Sequence, residues 1–368
     1  MSPRPATHIH GLDLLRFVAA MLVVLNHFAT YATDQPEVTM DRSLRAYDYL
    51  DPFVGIGATG VQIFFVISGF VIAMSAARLS GAAGAMRFAL ARMTRILPAL
   101  WLSTAISLVA LILCGFDPGP LLARAARSAV LSPIGPYIDG VVWSLVVEAV
   151  FYLLIGLAIL CWARLPLARI AIALGLASSA FLALLLAATL TGHHGAAALM
   201  DRFPFKVFLL HHGVFFAIGM LVWHAMSQPL TPRLRLFLGL FTVMGLIELW
   251  LLNQPSTPRA IGSMLVWAAA MGWLLLSIRR PLFASRPGLM RFLGDLSYPI
   301  YLNHYTTGMA TVFLLHQAGV SGLPSLVLAL GVVGLASVGV VLAERRVRAR
   351  LRPLIWPAVP GQAARPAR

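Results

Sequence analysis

Long runs of apolar residues alternate with short polar stretches along almost the whole chain. We count ten such runs of roughly 20 residues, each long enough to cross about 30 Å of hydrocarbon as a helix. The pattern predicts an all-α polytopic membrane protein with about ten transmembrane helices and no soluble domain. The predicted spans are 12–31, 59–77, 95–115, 141–162, 168–191, 207–226, 234–252, 261–278, 296–315 and 323–343.

The charges between these runs predict their orientation. One set of connections is rich in arginine, whereas the alternate set holds few basic residues and most of the acids. By the positive-inside rule, this alternation predicts that both termini are cytoplasmic. We expect a multi-pass protein of a bacterial cytoplasmic (inner) membrane. We expect a membrane domain over 1–352 and a disordered cytoplasmic tail over 353–368. Two longer outer connections, 32–58 and 116–140, are expected to cap an outer cavity.

Composition supports the membrane assignment and narrows the chemistry. Hydrophobic residues make up 60% of the 368-residue chain and charged residues only 11%, against about 25% charged in a typical soluble domain. The net charge of +15 does not indicate nucleic-acid binding, because the arginines are scattered between apolar runs. Cys114 and Cys161 both lie in apolar runs and imply no disulfide framework. No metal-binding constellation stands out, so we predict no bound metal.

Two ionisable side chains lie inside the first run, LLRFVAAMLVVLNHF. Arg16 and His27 are 11 residues apart, so on a helix they share one face with about 16 Å between them. Asp13, one turn before Arg16, is placed to pair with it. The ordinary interpretations are an arginine that reaches the interface and a histidine that packs between helices. The alternative is a cavity in which Arg16 handles an anion and His27 performs proton chemistry near neutral pH.

A second polar stripe lies in the run VVWSLVVEAVFYLL. Ser144, Glu148 and Tyr152 follow each other at four-residue spacing and therefore share a helix face. Trp143 lies beside this face near the outer interface. A carboxylate inside a membrane is a functional-site candidate by default, although a structural ion pair with an arginine is the alternative.

A third stripe lies in GDLSYPIYLNHYT, where Ser297, Tyr301 and His304 recur at helical spacing. Pro299 is expected to kink this helix and free a carbonyl group. The alternative interpretation is a set of interfacial tyrosines with one hydrogen-bonded histidine.

Three shorter patterns complete the candidates. In RFALARMTRILPALW, Arg92 and Arg95 form one positive face, which would either anchor the helix at the interface or hold phosphates. In GVQIFFVISGFVIA, the pair formed by Ser68 and the next glycine allows close helix packing. His211 and His212 begin another run near the outside, and the sequence assigns them no role.

Taken together, these blocks resemble the membrane-bound acyltransferase-3 family of O-acyltransferases. The resemblance covers nearly the whole chain. It is carried by Arg16-x10-His27, FFVISGF at 64–70, Arg92-x-x-Arg95, WSLVVEAVFY at 143–152 and SYPIYLNH at 297–304. Two positions depart from the family pattern: Gln62 stands where members commonly have an acidic residue, and Arg345 follows Glu344 where many have a proline.

The resemblance implies a ten-helix fold and an enzyme that takes an acyl group from cytoplasmic acyl-CoA. The acyl group expected from the family is acetyl. The acyl-CoA is a co-substrate, and no permanently bound cofactor is expected. The acceptor is a hydroxyl of a glycan or another molecule. By position, His27 is the catalytic histidine, Arg16 completes its motif, Arg92 and Arg95 are the paired arginines, and Glu148 is the acidic position. No hydrolase-like domain follows the last span, so a two-domain transferase is not expected.

These two lines of reasoning give one mechanistic hypothesis. The phosphates of CoA face Arg92, Arg95 and Arg16, while His27 acts as a general base or carries the acyl group transiently. Glu148 orients His27 if the helices bring the two together. The further residues expected to contact substrate are Ser144, Tyr152, Tyr301 and His304, and those expected to support the site are Asp13, Ser68 and Trp143.

Two other classes of protein remain open at this point. A proton-coupled transporter or flippase also needs a buried histidine, glutamate and arginine, but no matching broken helices are evident in two related halves. A non-catalytic scaffold is disfavoured, because polar stripes on three spans each cost free energy in lipid. Acyl-CoA turnover by purified protein discriminates the enzyme from both.

Overall fold

The computed structural model describes residues 8–34 and 47–355, and all the regular secondary structure in these two ranges is helical. Two 3-10 turns, Asp48–Phe53 and Gly57–Thr59, precede the second helix. The α-helices are α1 (His10–Asp34), α2 (Gly60–Ala76), α3 (Gly81–Leu113), α4 (Pro118–Ala129), α5 (Val142–Cys161), α6 (Leu167–Leu190), α7 (His194–Met200), α8 (Phe203–Val207), α9 (Gly213–Ser227), α10 (Pro232–Leu252), α11 (Thr257–Arg279), α12 (Pro287–Asn303), α13 (Thr306–Gln317) and α14 (Gly322–Ile355).

The prediction of an all-α polytopic membrane protein is confirmed. Eight of the ten apolar runs form helices that are long and apolar enough to cross a membrane. The other two runs are helical in shorter pieces: 207–226 is mainly the 15-residue helix α9, and 296–315 is divided between α12 and α13.

The connections differ in two places from the sequence expectation. The connection 116–140 contains the helix α4, which begins where the Asp117 side chain accepts a hydrogen bond from the Gly119 amide at 3.1 Å. At the other end, α14 continues to Ile355, so the first three residues of the expected tail are helical. The rest of that tail, 356–368, and part of the first outer connection, 35–46, lie outside the described residues.

The helices α2 and α9 form the centre of the bundle and cross at unusually short distance. A Cβ atom on Gly69 would lie 2.2 Å from the Phe216 carbonyl oxygen, and one on Gly219 would lie 2.0 Å from that of Val66. Small residues at a membrane helix crossing let two backbones approach in this way. The close packing that the sequence predicted beside Ser68 is therefore present, and it fixes the helix that carries Ser68 and Phe65.

The interruption between α12 and α13 is held by a residue far away in the chain. Asp139, only 3% exposed, accepts hydrogen bonds from the amides of Thr306 and Val141, both at 3.1 Å. The Thr306 hydroxyl donates to the Ile138 carbonyl at 3.0 Å. These bonds satisfy the amide at the first turn of α13, as a helix N-terminus requires. Pro299 lies inside α12, and the helix ends only after Asn303.

Candidate active site

Eight of the twelve predicted site residues line one cavity of about 100 Å³, which we call the arginine cavity. It lies between α1, α2, α3, α5 and α12. The cavity therefore collects the polar stripes that the sequence located on separate runs. These eight residues are Arg16, Ser68, Arg92, Arg95, Ser144, Glu148, Tyr152 and Tyr301.

The arginine cavity carries more positive than negative charge. Three guanidinium groups line it, and among the described lining residues only Glu148 is acidic. The Ser68 hydroxyl donates to Glu148 at 2.5 Å, and Tyr152 lies within hydrogen-bonding reach of both Glu148 and Arg92. The Arg92 guanidinium also lies over the Phe88 ring, 5.7 Å from its centroid. A desolvated cluster of this kind is suited to an anion, and above all to phosphate.

A second cavity of about 410 Å³, which we call the histidine cavity, adjoins the first. His27, Trp143 and His212 line it. Val61 and Tyr301 line both cavities and so form the wall between them. The Tyr301 hydroxyl lies 2.6 Å from the Ser144 hydroxyl, which ties this wall to α5. Along α1, Arg16 thus faces one cavity and His27 the other.

The ring of His27 lies against the interruption between α12 and α13. Its centroid is 5.3 Å from that of His304 and 4.7 Å from that of Tyr305. His304 is fully buried and donates from Nδ1 to the Tyr301 carbonyl at 2.7 Å. This bond fixes the His304 tautomer and leaves Nε2 as a hydrogen-bond acceptor, which meets no partner in the described part of the chain. The prediction that His304 belongs to the site stays open, but the structure brings it to His27.

Glu148 and His27 line different cavities in the structure, whereas the hypothesis has Glu148 orient His27. Glu148 contacts Ser68 in the arginine cavity, whereas His27 lines the histidine cavity. Asp139 is an acid that interacts electrostatically with His27. Burial raises the pKa of Asp139 to about 6, and its hydrogen bonds and the nearby His27 lower it. Sequence reasoning assigned Asp139 only to an outer connection, because its position beside α13 depends on tertiary packing.

Asp13 lies one turn before Arg16 on α1, and it contacts two histidines. Asp13 Oδ2 lies 2.5 Å from His8 Nε2 and 3.8 Å from His10 Nδ1. The three ligand atoms lie within 4.8 Å of one another, close enough to hold a metal ion. From the sequence, we predicted no metal here and an ion pair between Asp13 and Arg16. Among the described residues, Asp13 and Arg16 form no ion pair, and the negative charge of Asp13 acts on the Arg16 guanidinium from a distance.

Two polar residues that sequence reasoning left without a role form a buried pair beside the histidine cavity. His212 Nδ1 and Glu248 Oε1 lie 2.6 Å apart, and both side chains are 1% exposed. The contact is short but lacks the alignment of a regular hydrogen bond. Glu248 lies in the apolar stretch GLIELWLL. The rule that identified Glu148 as a candidate applies equally to this carboxylate and would have found it.

Comparison with known proteins adds a family to this geometry. A family model described as "Acyltransferase domain", of the acyltransferase-3 type, matches residues 9–344. Nodulation protein 10 of Rhizobium leguminosarum bv. viciae is 30% identical over 189 residues, which are 43% of this chain and 46% of that protein. The match thus spans less than half the length of this curated relative. No solved structure matches the chain.

Proposed function

The chain belongs to the membrane-bound acyltransferase-3 family, and we propose that it is an O-acyltransferase with acyl-CoA, first of all acetyl-CoA, as donor. The acceptor is a hydroxyl group of a glycan or another molecule. The observation that carries the proposal is the pair of adjoining cavities. One is lined by three arginines and the other by His27, with Tyr301 and Val61 between them.

The arginine cavity is the proposed donor site. Its volume of about 100 Å³ suits the end of a pantetheine arm, whereas the nucleotide of CoA stays at the mouth. Arg92, Arg95 and Arg16 are then placed to bind phosphates, since guanidinium groups pair with phosphate oxygens in a fork geometry. The thioester end points toward Tyr301, where the two cavities meet.

His27 is the proposed catalytic residue. In direct transfer, His27 accepts the proton of the acceptor hydroxyl while the hydroxyl oxygen attacks the thioester carbonyl carbon. A C–O bond forms, the C–S bond breaks, and the imidazolium returns the proton to the departing thiolate. In the two-step alternative, the same imidazole carries the acyl group between donor and acceptor. Acid-quench trapping of a labelled His27 peptide distinguishes the two routes.

The orientation is part of the proposal. The arginine-rich connections support an orientation with both termini, and with them the mouth of the arginine cavity, at the cytoplasmic face of a bacterial inner membrane. The histidine cavity then faces outward. This arrangement lets the donor stay in the cytoplasm while the acceptor approaches from the other side. Thiol labelling of the variants Ala77→Cys and Ala197→Cys in intact cells tests which face of the membrane each residue occupies.

A proton-coupled transporter remains the rival from another class. The interrupted runs 207–226 and 296–315 resemble the broken helices of transporters. As the sixth and ninth of ten runs, however, they do not occupy corresponding positions in two halves of five. The deciding experiment is single-turnover transfer from radiolabelled acetyl-CoA in membranes that contain the protein. Labelled product or released CoA supports the acyltransferase. If neither is formed, transport assays follow.

A further inference from the structure

Several buried polar atoms around the histidine cavity have unsatisfied hydrogen bonds. Thr59 Oγ1, Gln62 Oε1 and His212 Nε2 belong to lining residues that are 1%, 4% and 1% exposed. None of these atoms meets a partner among the described residues. Buried polar groups are nearly always hydrogen-bonded, to water if not to protein. Water satisfies such atoms in an empty cavity, and a polar ligand with several hydroxyl or carboxyl oxygens would satisfy them when it binds.

The charge of the cavity wall restricts that ligand. Lys206 lines the cavity on α8, and no described lining residue carries a carboxylate. Lys206 Nζ lies 3.0 Å from Asp201, whose side chain is 60% exposed. The Lys206 side chain is 24% exposed, and an ion pair whose acid is largely in solvent is weak, so the ammonium group can exchange Asp201 for an anion inside the cavity.

The pair formed by His212 and Glu248 adds a hydrogen-bond donor to the cavity wall, because His212 lines the cavity. A buried pair avoids net charge, because an uncompensated charge in a low dielectric is costly. The neutral pair is either imidazolium with carboxylate or imidazole with carboxylic acid. Nε2 carries a hydrogen in the imidazolium form, and it also does so in the imidazole form when the carboxylic acid of Glu248 turns its O–H toward Nδ1. His212 therefore presents an N–H to the cavity.

We propose that the histidine cavity binds an acceptor that carries an anionic group, a carboxylate or a phosphate, next to the hydroxyl that is acylated. Lys206 pairs with the anion, and His212, held by Glu248, donates to one of its oxygens or to a neighbouring hydroxyl. Gln62 and Thr59 bind further hydroxyls, and Trp143 supplies an apolar face. The inference rests on the proposed function in one respect, since it takes this cavity to be the acceptor site.

The test compares three matched probes: methyl α-D-glucopyranoside, methyl α-D-glucuronide and methyl α-D-glucopyranoside 6-phosphate. Transfer from acetyl-CoA and direct binding by calorimetry are both measured with the full-length protein in detergent. Since a hydrogen bond to a charged group contributes about 1.5–3 kcal/mol, at least one anionic probe should bind about 10–100-fold more tightly than the neutral one. The two anionic probes separate carboxylate from phosphate recognition.

Lys206→Gln should reduce this preference to within about threefold. Arg202→Gln, an exposed change in the same connection that does not line the cavity, should keep it. His212→Phe is a second variant and should weaken binding of all three probes. Equal binding of the three by wild type, or an unchanged preference in Lys206→Gln, overturns the inference. If wild type binds an anionic probe preferentially but transfers no acetyl group from acetyl-CoA, the proposed function is refuted while the anion site stands.

Discussion

The imidazole rings of His27 and His304 lie 5.3 Å apart, although the two residues come from opposite ends of the chain. The contact forms because the ninth apolar run is interrupted at His304 and Tyr305, and α1 packs against that interruption. The His304 Nδ1 proton is held by the Tyr301 carbonyl. A second imidazole with a fixed tautomer therefore flanks His27 and limits the orientations that its ring can adopt.

His27→Ala tests the central assignment. A positioned general base contributes about 10²–10⁴ in rate, so the variant should lose acetyl transfer by that factor at matched expression. The measurement is single-turnover release of CoA from radiolabelled acetyl-CoA. His193→Ala, which changes an exposed histidine outside both cavities, should keep the wild-type rate. Equal rates in wild type and His27→Ala would leave His27 with a packing or proton-relay role.

Much of the membrane architecture could be predicted from the sequence, because length and hydropathy alone determine which segments can cross a bilayer. The gathering of Arg16, Arg92 and Glu148 was also predictable, since charged groups in lipid must face the bundle interior. The interruption at His304 and Tyr305 was not predictable, because it depends on Asp139, which lies more than 160 residues earlier in the sequence. Hydropathy treats 296–315 as one continuous run.

Arg92→Gln and Arg95→Gln test the donor site. Each variant removes a charged donor from the arginine cavity, and loss of one charge-assisted hydrogen bond to phosphate costs about 1.5–3 kcal/mol. We expect the KM for acetyl-CoA to rise about 10–100-fold in each. Arg87→Gln, an exposed change on the same helix that does not line the cavity, is the matched control. Unchanged KM values in the two cavity variants would limit these arginines to anchoring α3.

Glu148→Gln distinguishes a structural from a proton-transfer role for this carboxylate. Glu148 faces the arginines rather than His27, so its removal leaves those charges less compensated. The melting temperature should therefore fall by several degrees, while the pH dependence of kcat stays as in wild type. Ser68→Ala, which removes only the hydrogen bond to Glu148, should cause a smaller fall. A shifted pH profile in Glu148→Gln would instead connect Glu148 to His27.

Gly219→Ala tests the helix crossing that supports both cavities. The added Cβ would lie 2.0 Å from the Val66 carbonyl oxygen, and backbone atoms cannot move aside without separating α2 and α9. We expect a clear loss of thermal stability in detergent. Gly239→Ala is the control with the opposite sign. Its Cβ would meet no neighbouring atom within 4 Å, so helix propensity alone should stabilise the protein by about 0.5–1 kcal/mol. Equal melting temperatures for the two variants would contradict the close crossing.

Asp139→Asn tests the acid that holds the start of α13 beside His27. Burial raises the Asp139 pKa from 3.8 to about 6. The folded protein therefore retains this proton at pH values where the unfolded chain has lost it. Folding stability from this group should be fully present below about pH 4 and should fall by about 1.4 kcal/mol per pH unit up to about pH 6.

The asparagine variant has no such proton to lose. The difference in melting temperature, wild type minus Asp139→Asn, should therefore decrease steadily between pH 4 and pH 6 and stay constant above that range. Taking the difference cancels the titration of all other groups. A difference that does not change with pH would mean that Asp139 is already ionised at pH 4. Its bonds to Thr306 and Val141 would then outweigh the cost of burying its charge.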